Sequence, residues 1–246
     1  QVHQKNSPNA SGMICSGRQT VILKVLTPDD SDKVEAIIDL LARGERPLML
    51  ITEEVFAAGI PECPADLSPK FSRSSKTFTY SEVLGPQNQL FIVGGGHCSL
   101  ALSELMSRLD FRITIFDDRP ELNTIEKNRF ADEIRIIDSY ENIGSLIPSG
   151  PEVFVVVMTL GYASDEIAIR GLGDKEFKYF GVLGSKAKMA VLLKSLKDRG
   201  FPPDGLSRIR TPIGVPINSH TPEEIAVSIM AEIIMVRNGG DGMSMK

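Results

Sequence analysis

The stretch FIVGGGHCSLALSEL (91–105) constrains the fold more than any other part of the chain. An apolar run leads into three glycines and then into a helical-period pattern, which is the order strand, tight turn, helix. Gly94 suits the tight turn, Gly95 continues it, and Gly96 lets a pyrophosphate approach the backbone. Ser99 stands where a third small residue allows helix and strand to pack closely. A glycine loop alone is a weak signal, because such turns also serve packing only. Here Asp117 ends the next apolar run about 20 residues later, where an acid can accept hydrogen bonds from a ribose. Its charge argues against a 2′-phosphate unless Arg119 compensates.

From this loop onward, strand and helix signals alternate at the spacing of a parallel sheet with crossover helices. The residues predict strands at 89–93, 112–117, 133–137, 153–159 and 178–183. The run VFVVVM is apolar on both faces, as a central parallel strand is. Helices are expected at about 98–109, 121–128, 164–170, 185–199 and 222–237. The last opens on Thr221-Pro222-Glu223-Glu224, a capping box with proline at its first position, and stops before Gly239-Gly240. The expected class is α/β: a Rossmann-like parallel sheet over roughly 88–238, preceded by a smaller N-terminal α+β unit. Turn residues at Gly85-Pro86 place the boundary between units 1–86 and 87–246.

In the front unit, TVILKVL (20–26) reads as a strand. Thr27, Pro28 and Asp30 then mark a helix start, with an apolar-periodic run through Leu41 and a stop near Gly44. Residues 47–52 and 77–84 are further strand candidates, and 59–70 reads as loop.

Composition excludes several classes of partner. At 42% hydrophobic and 24% charged residues, the 246-residue chain has enough apolar sequence for a substantial core. A net charge of -5 argues against broad attraction to nucleic acid or an anionic membrane. No stretch approaches the roughly 18 apolar residues of a membrane span, and the polar start does not resemble a secretory signal. Cys15, Cys63 and Cys98 are too scattered for a disulfide framework or a cysteine-based metal site. A soluble, cytoplasmic protein is expected.

Several residues can carry chemistry. His97, at the start of the glycine-loop helix, can donate to a phosphate or transfer a proton, or merely cap backbone. Cys98 occupies a position where a thiolate is favoured, although small thiols also pack well there. Asp165 lies just past the central strand, at the edge where open α/β sheets bind ligands, and also suits a structural cap. In GVLGSKAKM (181–189), Gly184, Ser185, Lys186 and Lys188 form a second strand-to-helix junction able to hold an anionic group. His220 is one of three histidines, none at zinc-site spacing. No nucleophile elbow and no GxxxxGK[ST] loop is present. The residues therefore identify neither a catalytic nor a metal centre.

Four separated motifs, FIVGGGHCSLAL, TIFDDRPE (114–121), YFGVLGSKAKM (179–189) and PIGVPINSHTPEEIAVSIMAEI (212–233), resemble in order the xanthine dehydrogenase accessory protein family, also called XdhC/CoxI. GMICSGRQTVILKVL (12–26) is similar to the closing part of that family's N-terminal domain. The resemblance matches Cys15 to the family cysteine and Gly94, Gly96 and His97 to the glycine-histidine loop. It matches Asp117, Asp118 and Arg119 to the acid-rich strand end, Gly184, Ser185 and Lys188 to the second loop, and Pro222, Glu223 and Glu224 to the final helix start. Departures are Leu160, Gly161 and Tyr162 in place of a histidine-containing loop, Ser16 and Ser99 in place of glycines, and the missing front of the N-terminal domain.

The resemblance implies a chaperone that binds molybdenum cofactor and assists its maturation and insertion into a molybdenum hydroxylase such as xanthine dehydrogenase. It also implies a homodimer and contact with a sulfur donor such as a cysteine desulfurase, with Cys15 or Cys98 the candidates for handling sulfur or cofactor. Competing readings are an NAD-dependent oxidoreductase and a dinucleotide-sensing domain.

Overall fold

The computed structural model describes residues 20–60 and 69–240, together with the short antiparallel pair β1 (Val2–His3) and β2 (Gly17–Arg18). The chain divides into two compact units, Gln1–Gly85 and Pro86–Lys246.

In the first unit, a 3-10 turn at Pro28–Asp30 leads into α1 (Ser31–Ala42). The expected capping box is present, with the Asp30 carboxylate accepting from the Thr27 amide at 3.1 Å. Gly44 ends the helix at φ 76°, a left-handed value that glycine tolerates without strain. β3 (Leu48–Thr52), β4 (Phe56–Gly59), β5 (Lys70–Arg73) and β6 (Phe78–Val83) form an antiparallel sheet in the order β4-β3-β6-β5.

Two expectations need correction. β4 and β5 reach into the ends of the 59–70 stretch read as loop, and residues 20–26 form no strand. The alternation of the 20–26 run is visible in burial, with Ile22 and Lys24 half-buried and Val21, Leu23 and Val25 exposed. The Lys24 ammonium donates to the carbonyls of Thr52 and Glu53 at 3.3 and 2.7 Å. Strand propensity describes fitness for an extended, half-buried surface and does not supply a ladder partner.

The second unit is built on a five-stranded parallel sheet ordered β11-β10-β7-β8-β9. Its strands are β7 (Asn88–Val93), β8 (Phe111–Asp117), β9 (Glu133–Ile136), β10 (Gly150–Val157) and β11 (Phe177–Val182). The first strand of the unit is therefore central, and strand order reverses between β7 and β10. In folds of this class such a reversal marks the crevice at the carboxyl edge where ligands bind. Val153 to Val157 are all buried, because helices cover both sheet faces.

Helices α2 (His97–Met106) and α8 (Pro222–Arg237) cover one face, where Leu102, Met106, Ile229 and Ile233 meet Leu90, Ile92 and Phe154. The opposite face carries α4 (Ile143–Leu146), α5 (Tyr162–Leu172) and α6 (Lys186–Asp198). The short helices α3 (Asn123–Lys127) and α7 (Pro203–Ser207) lie in the connections. The periodic pattern does not reveal α4 and α7, which are too short to show a helical repeat. α2 ends at Met106, three residues before the expected limit, and the Thr221–Glu224 box starts α8 as anticipated.

Candidate functional site at the sheet edge

β7 ends directly on the glycine loop, and each glycine has a different physical reason to be there. Gly94 has φ 111°, and a Cβ on it would lie 2.4 Å from the Met158 carbonyl oxygen at the exit of β10. Gly95 is hemmed in by the Ile125 side chain, 2.7 Å from where its Cβ would be. Gly96 has an ordinary φ of -70°, and a Cβ there would meet no atom within 4 Å. The first two glycines are required by packing, and the third faces open space where a ligand can approach the backbone.

Gly96 is also the N-cap of α2, and no side chain caps that helix. Its first-turn amides and helix dipole favour an anion. His97 stands exposed beside them and Cys98 is half-buried, while Ser99 is fully buried against the sheet as the packing argument requires. The Ser99 hydroxyl has no hydrogen-bond partner among the described residues. The expected thiolate at Cys98 is not favoured: burial pushes the thiol up, and the negative charge of Glu223 adds to that.

Asp117, at the end of β8, is inaccessible to solvent. Its Oδ2 accepts from the Gly95 amide at 2.6 Å and from Arg119 Nη2 at 2.7 Å. Its Oδ1 accepts from the Arg119 amide at 2.9 Å and from Arg119 Nε at 2.8 Å. Burial works against the charged carboxylate, yet the arginine fork and the two amides outweigh it and hold the pKa below the ordinary value. Both oxygens are turned inward, so the ribose-acceptor role expected of Asp117 is not available in this arrangement.

Thr124 and Ile125, which no sequence motif marks, complete this corner. The Thr124 hydroxyl donates to the Gly95 carbonyl, and Ile125 walls the loop. Asp118 remains partly exposed and accepts from the Tyr140 hydroxyl at 3.3 Å. Burial first, then the charges of Asp117 and Asp118, raise the Tyr140 phenol and keep it a donor.

Across the crevice, Asp165 is also buried. It accepts from the Thr159 amide at 3.0 Å, the Thr159 hydroxyl at 2.6 Å and the Lys188 ammonium at 3.0 Å. Ser185 caps α6 by accepting from the Lys188 amide at 3.3 Å. Gly184 leaves room for Met189, whose Cε lies 2.3 Å from where a Cβ would sit. Asp165 and Ser185 thus act within the protein, as a helix-start acid and a cap, and Lys188 is tied to Asp165. The two corners adjoin where Gly94 packs on Met158 and Thr159. Cys15 and Cys63 lie outside the described residues.

Among the described residues, no group of three or more histidine, cysteine or acidic side chains is placed to hold a metal ion. No described helix is long and apolar enough to cross a membrane. The edge as built offers an anion cradle and a partly exposed arginine.

The chain is similar to known proteins in sequence and in fold. A Bacillus subtilis (strain 168) protein described as a probable xanthine dehydrogenase component is 31% identical over 169 residues, covering 69% of this chain and 48% of that protein. An uncharacterised Escherichia coli (strain K12) protein, YqeB, is 27% identical over 166 residues, covering 66% of this chain and 30% of that one. The chain thus spans less than half the length of either relative. The crystal structure of a protein described as a xanthine dehydrogenase from Bacillus halodurans superposes with a TM-score of 0.60 at 25% identity, covering 87% of this chain and 66% of that chain. Residues 90–233 match the family described as the XdhC Rossmann domain, the region that carries the glycine loop, both aspartate corners and most of α8. The chain belongs to the XdhC family.

Proposed function

We propose that this chain binds molybdenum cofactor as cargo and serves as an accessory protein in the maturation or insertion of that cofactor for a xanthine dehydrogenase-type molybdenum hydroxylase. The observation that carries the reading is the XdhC Rossmann match over residues 90–233. The names of the Bacillus relatives support the hydroxylase as the class of partner.

The residues fit a phosphorylated pterin. Gly96 opens the backbone toward the crevice, the uncapped start of α2 favours an anionic group, and Arg119 adds a guanidinium beside the loop. His97, exposed at the same helix start, is placed to donate to that group. Asp118 and Tyr140 supply polar atoms at the neighbouring strand end. A cysteine desulfurase as sulfur donor, a homodimeric assembly and a cytoplasmic location belong to the same proposal.

The NAD-dependent reading relied on Asp117 accepting from a ribose. Four donors already fill that carboxylate, which weakens the reading without affecting the phosphate cradle.

The test is anaerobic equilibrium binding of molybdenum cofactor to the purified protein with NAD as competitor. Tight pterin binding that NAD does not displace is expected. Weak or absent pterin binding beside firm NAD binding would overturn the proposal.

A further inference from the structure

We infer that Arg119 makes the end of β8 select a phosphomonoester where dinucleotide folds of this kind commonly select a ribose diol. The lone pairs of Asp117 are the first reason. A diol needs a carboxylate with free acceptor sites facing the crevice. Asp117 has zero exposure, and its two oxygens take four hydrogen bonds from Gly95 and Arg119. Its charge is compensated within 3 Å by a guanidinium that meets both oxygens.

With Asp117 occupied, Arg119 is left to face a ligand. Its side chain is 31% exposed, and its Nη1 takes part in none of the contacts with Asp117. Nη2 and the Gly95 amide share one carboxylate oxygen, so the guanidinium sits against the glycine loop, next to the open backbone of Gly96. A group entering from the loop side therefore meets a planar donor already held in place by Asp117. Holding the fork in advance reduces the entropy lost when it binds an anion. Asp118 is the competing feature: it is partly exposed, 3.9 Å from Arg119 Nε, and its Oδ1 accepts from Tyr140. If Asp118 took a diol, Arg119 would have no part in ligand choice.

This inference rests on the proposed function for its natural ligand, a pterin carrying a terminal phosphate. The chemistry itself is that of any phosphomonoester reaching this corner, including a 2′-phosphate on a dinucleotide ribose. The two sources are separated by titrating three probes in parallel into the full chain: NAD, NADP and anaerobically prepared molybdopterin.

NADP is expected to bind more tightly than NAD by about tenfold or more, the usual worth of a charge-assisted pair. Arg119→Gln should abolish that preference and weaken molybdopterin, whereas Arg119→Lys should keep part of both. A Gly96→Val variant should lose all three probes, which ties the effect to this loop. Thermal unfolding establishes that each variant is folded. The decisive readouts are the NADP-to-NAD affinity ratio of the unaltered chain and its partial retention in Arg119→Lys. Arg119→Gln also frees Asp117 for a diol and would shift the ratio toward NAD even if the arginine were purely structural.

Equal or tighter binding of NAD by the unaltered chain overturns the assignment, as does failure of every phosphorylated probe to bind. If molybdopterin does not bind but the NADP preference depends on Arg119, the cofactor proposal falls and the assignment stands. Molybdopterin binding that is unmoved by Arg119→Gln, without NADP preference, has the opposite meaning.

Discussion

Two buried aspartates stand at the carboxyl edge of the same sheet, and they are neutralised in different ways. Asp117 is held by a guanidinium two residues away on its own loop, which reaches both oxygens at 2.7 and 2.8 Å. Asp165 is held by an ammonium from the following helix, through one oxygen at 3.0 Å, and by Thr159 on the other. An arginine fork fixes a plane, whereas a lysine supplies a mobile point charge. The first corner consequently sets the shape of the glycine loop and presents a guanidinium beside the crevice. The second ties α5 to α6 and fixes the chain leaving β10. The same residue type thus shapes the glycine loop in one place and ties helices together in the other.

The sharpest way to break this contrast is to remove the two acids in turn. Asp117→Ala leaves the Gly95 amide and the arginine without their partner, and should cost about 3 kcal/mol, the low end for opening a buried pair because the arginine is partly exposed. Asp165→Ala should cost less, about 2 kcal/mol, because a single contact holds the ammonium where two hold the guanidinium. Urea unfolding measures both. Equal losses would mean that the fork confers no special hold on the loop.

Within the loop, a second comparison separates packing from binding. Gly94→Ala puts a Cβ into the β10 exit at a left-handed φ and should lower stability by about 2–3 kcal/mol. Gly96→Ala should change stability by only about 0.5 kcal/mol, while weakening any phosphorylated ligand. Loss of stability at Gly96 with binding intact would remove that glycine from the site.

The pH dependence of stability provides a smaller effect. Asp117 has a folded pKa below its ordinary 3.8, so the unfolded chain takes up its proton first as pH falls. Its contribution is fully present well above pH 3.8 and is lost as pH drops through the lower folded value. Urea titrations from about pH 5 to the acid limit should show this loss in the unaltered chain and a shallower slope in Asp117→Asn. Identical slopes would show that the fork does not hold the charge.

The sequence displays the larger architecture because that architecture depends on period and punctuation. The apolar runs at β7, β8 and β10 mark buried parallel strands, and the Thr221-Pro222-Glu223-Glu224 box marks the start of α8. Positions of the candidate residues are equally readable, since Asp117 ends a strand and Gly96 and Asp165 follow strands. Their orientations are not. Whether Asp117 faces a ribose or an arginine depends on the side-chain torsions of Asp117 and Arg119, which no spacing rule encodes. Thr124 carries no sequence signal because its role is a single bond to a carbonyl 29 positions away. Residues 20–26 show the converse limit, since β-branched composition predicts extension but ladder formation needs a neighbour.

Cys98 tests the electrostatics of this edge at its weakest point. A helix start ordinarily favours a thiolate, as it favours the phosphate proposed beside Gly96. At Cys98, however, burial dominates and Glu223 opposes the charge, so the thiol lies above its ordinary 9.0. In a Cys15→Ser, Cys63→Ser background, alkylation of Cys98 at about pH 8 should be slower than that of the urea-unfolded chain. Glu223→Gln should restore only a minor part of the rate, since burial is the larger cause. Fast alkylation in the folded protein would mean that the helix field prevails at its second residue, and would bring Cys98 into the chemistry of the loop. Slow alkylation would confine the favourable field to groups that reach the helix axis from the crevice, beside Gly96 and Arg119.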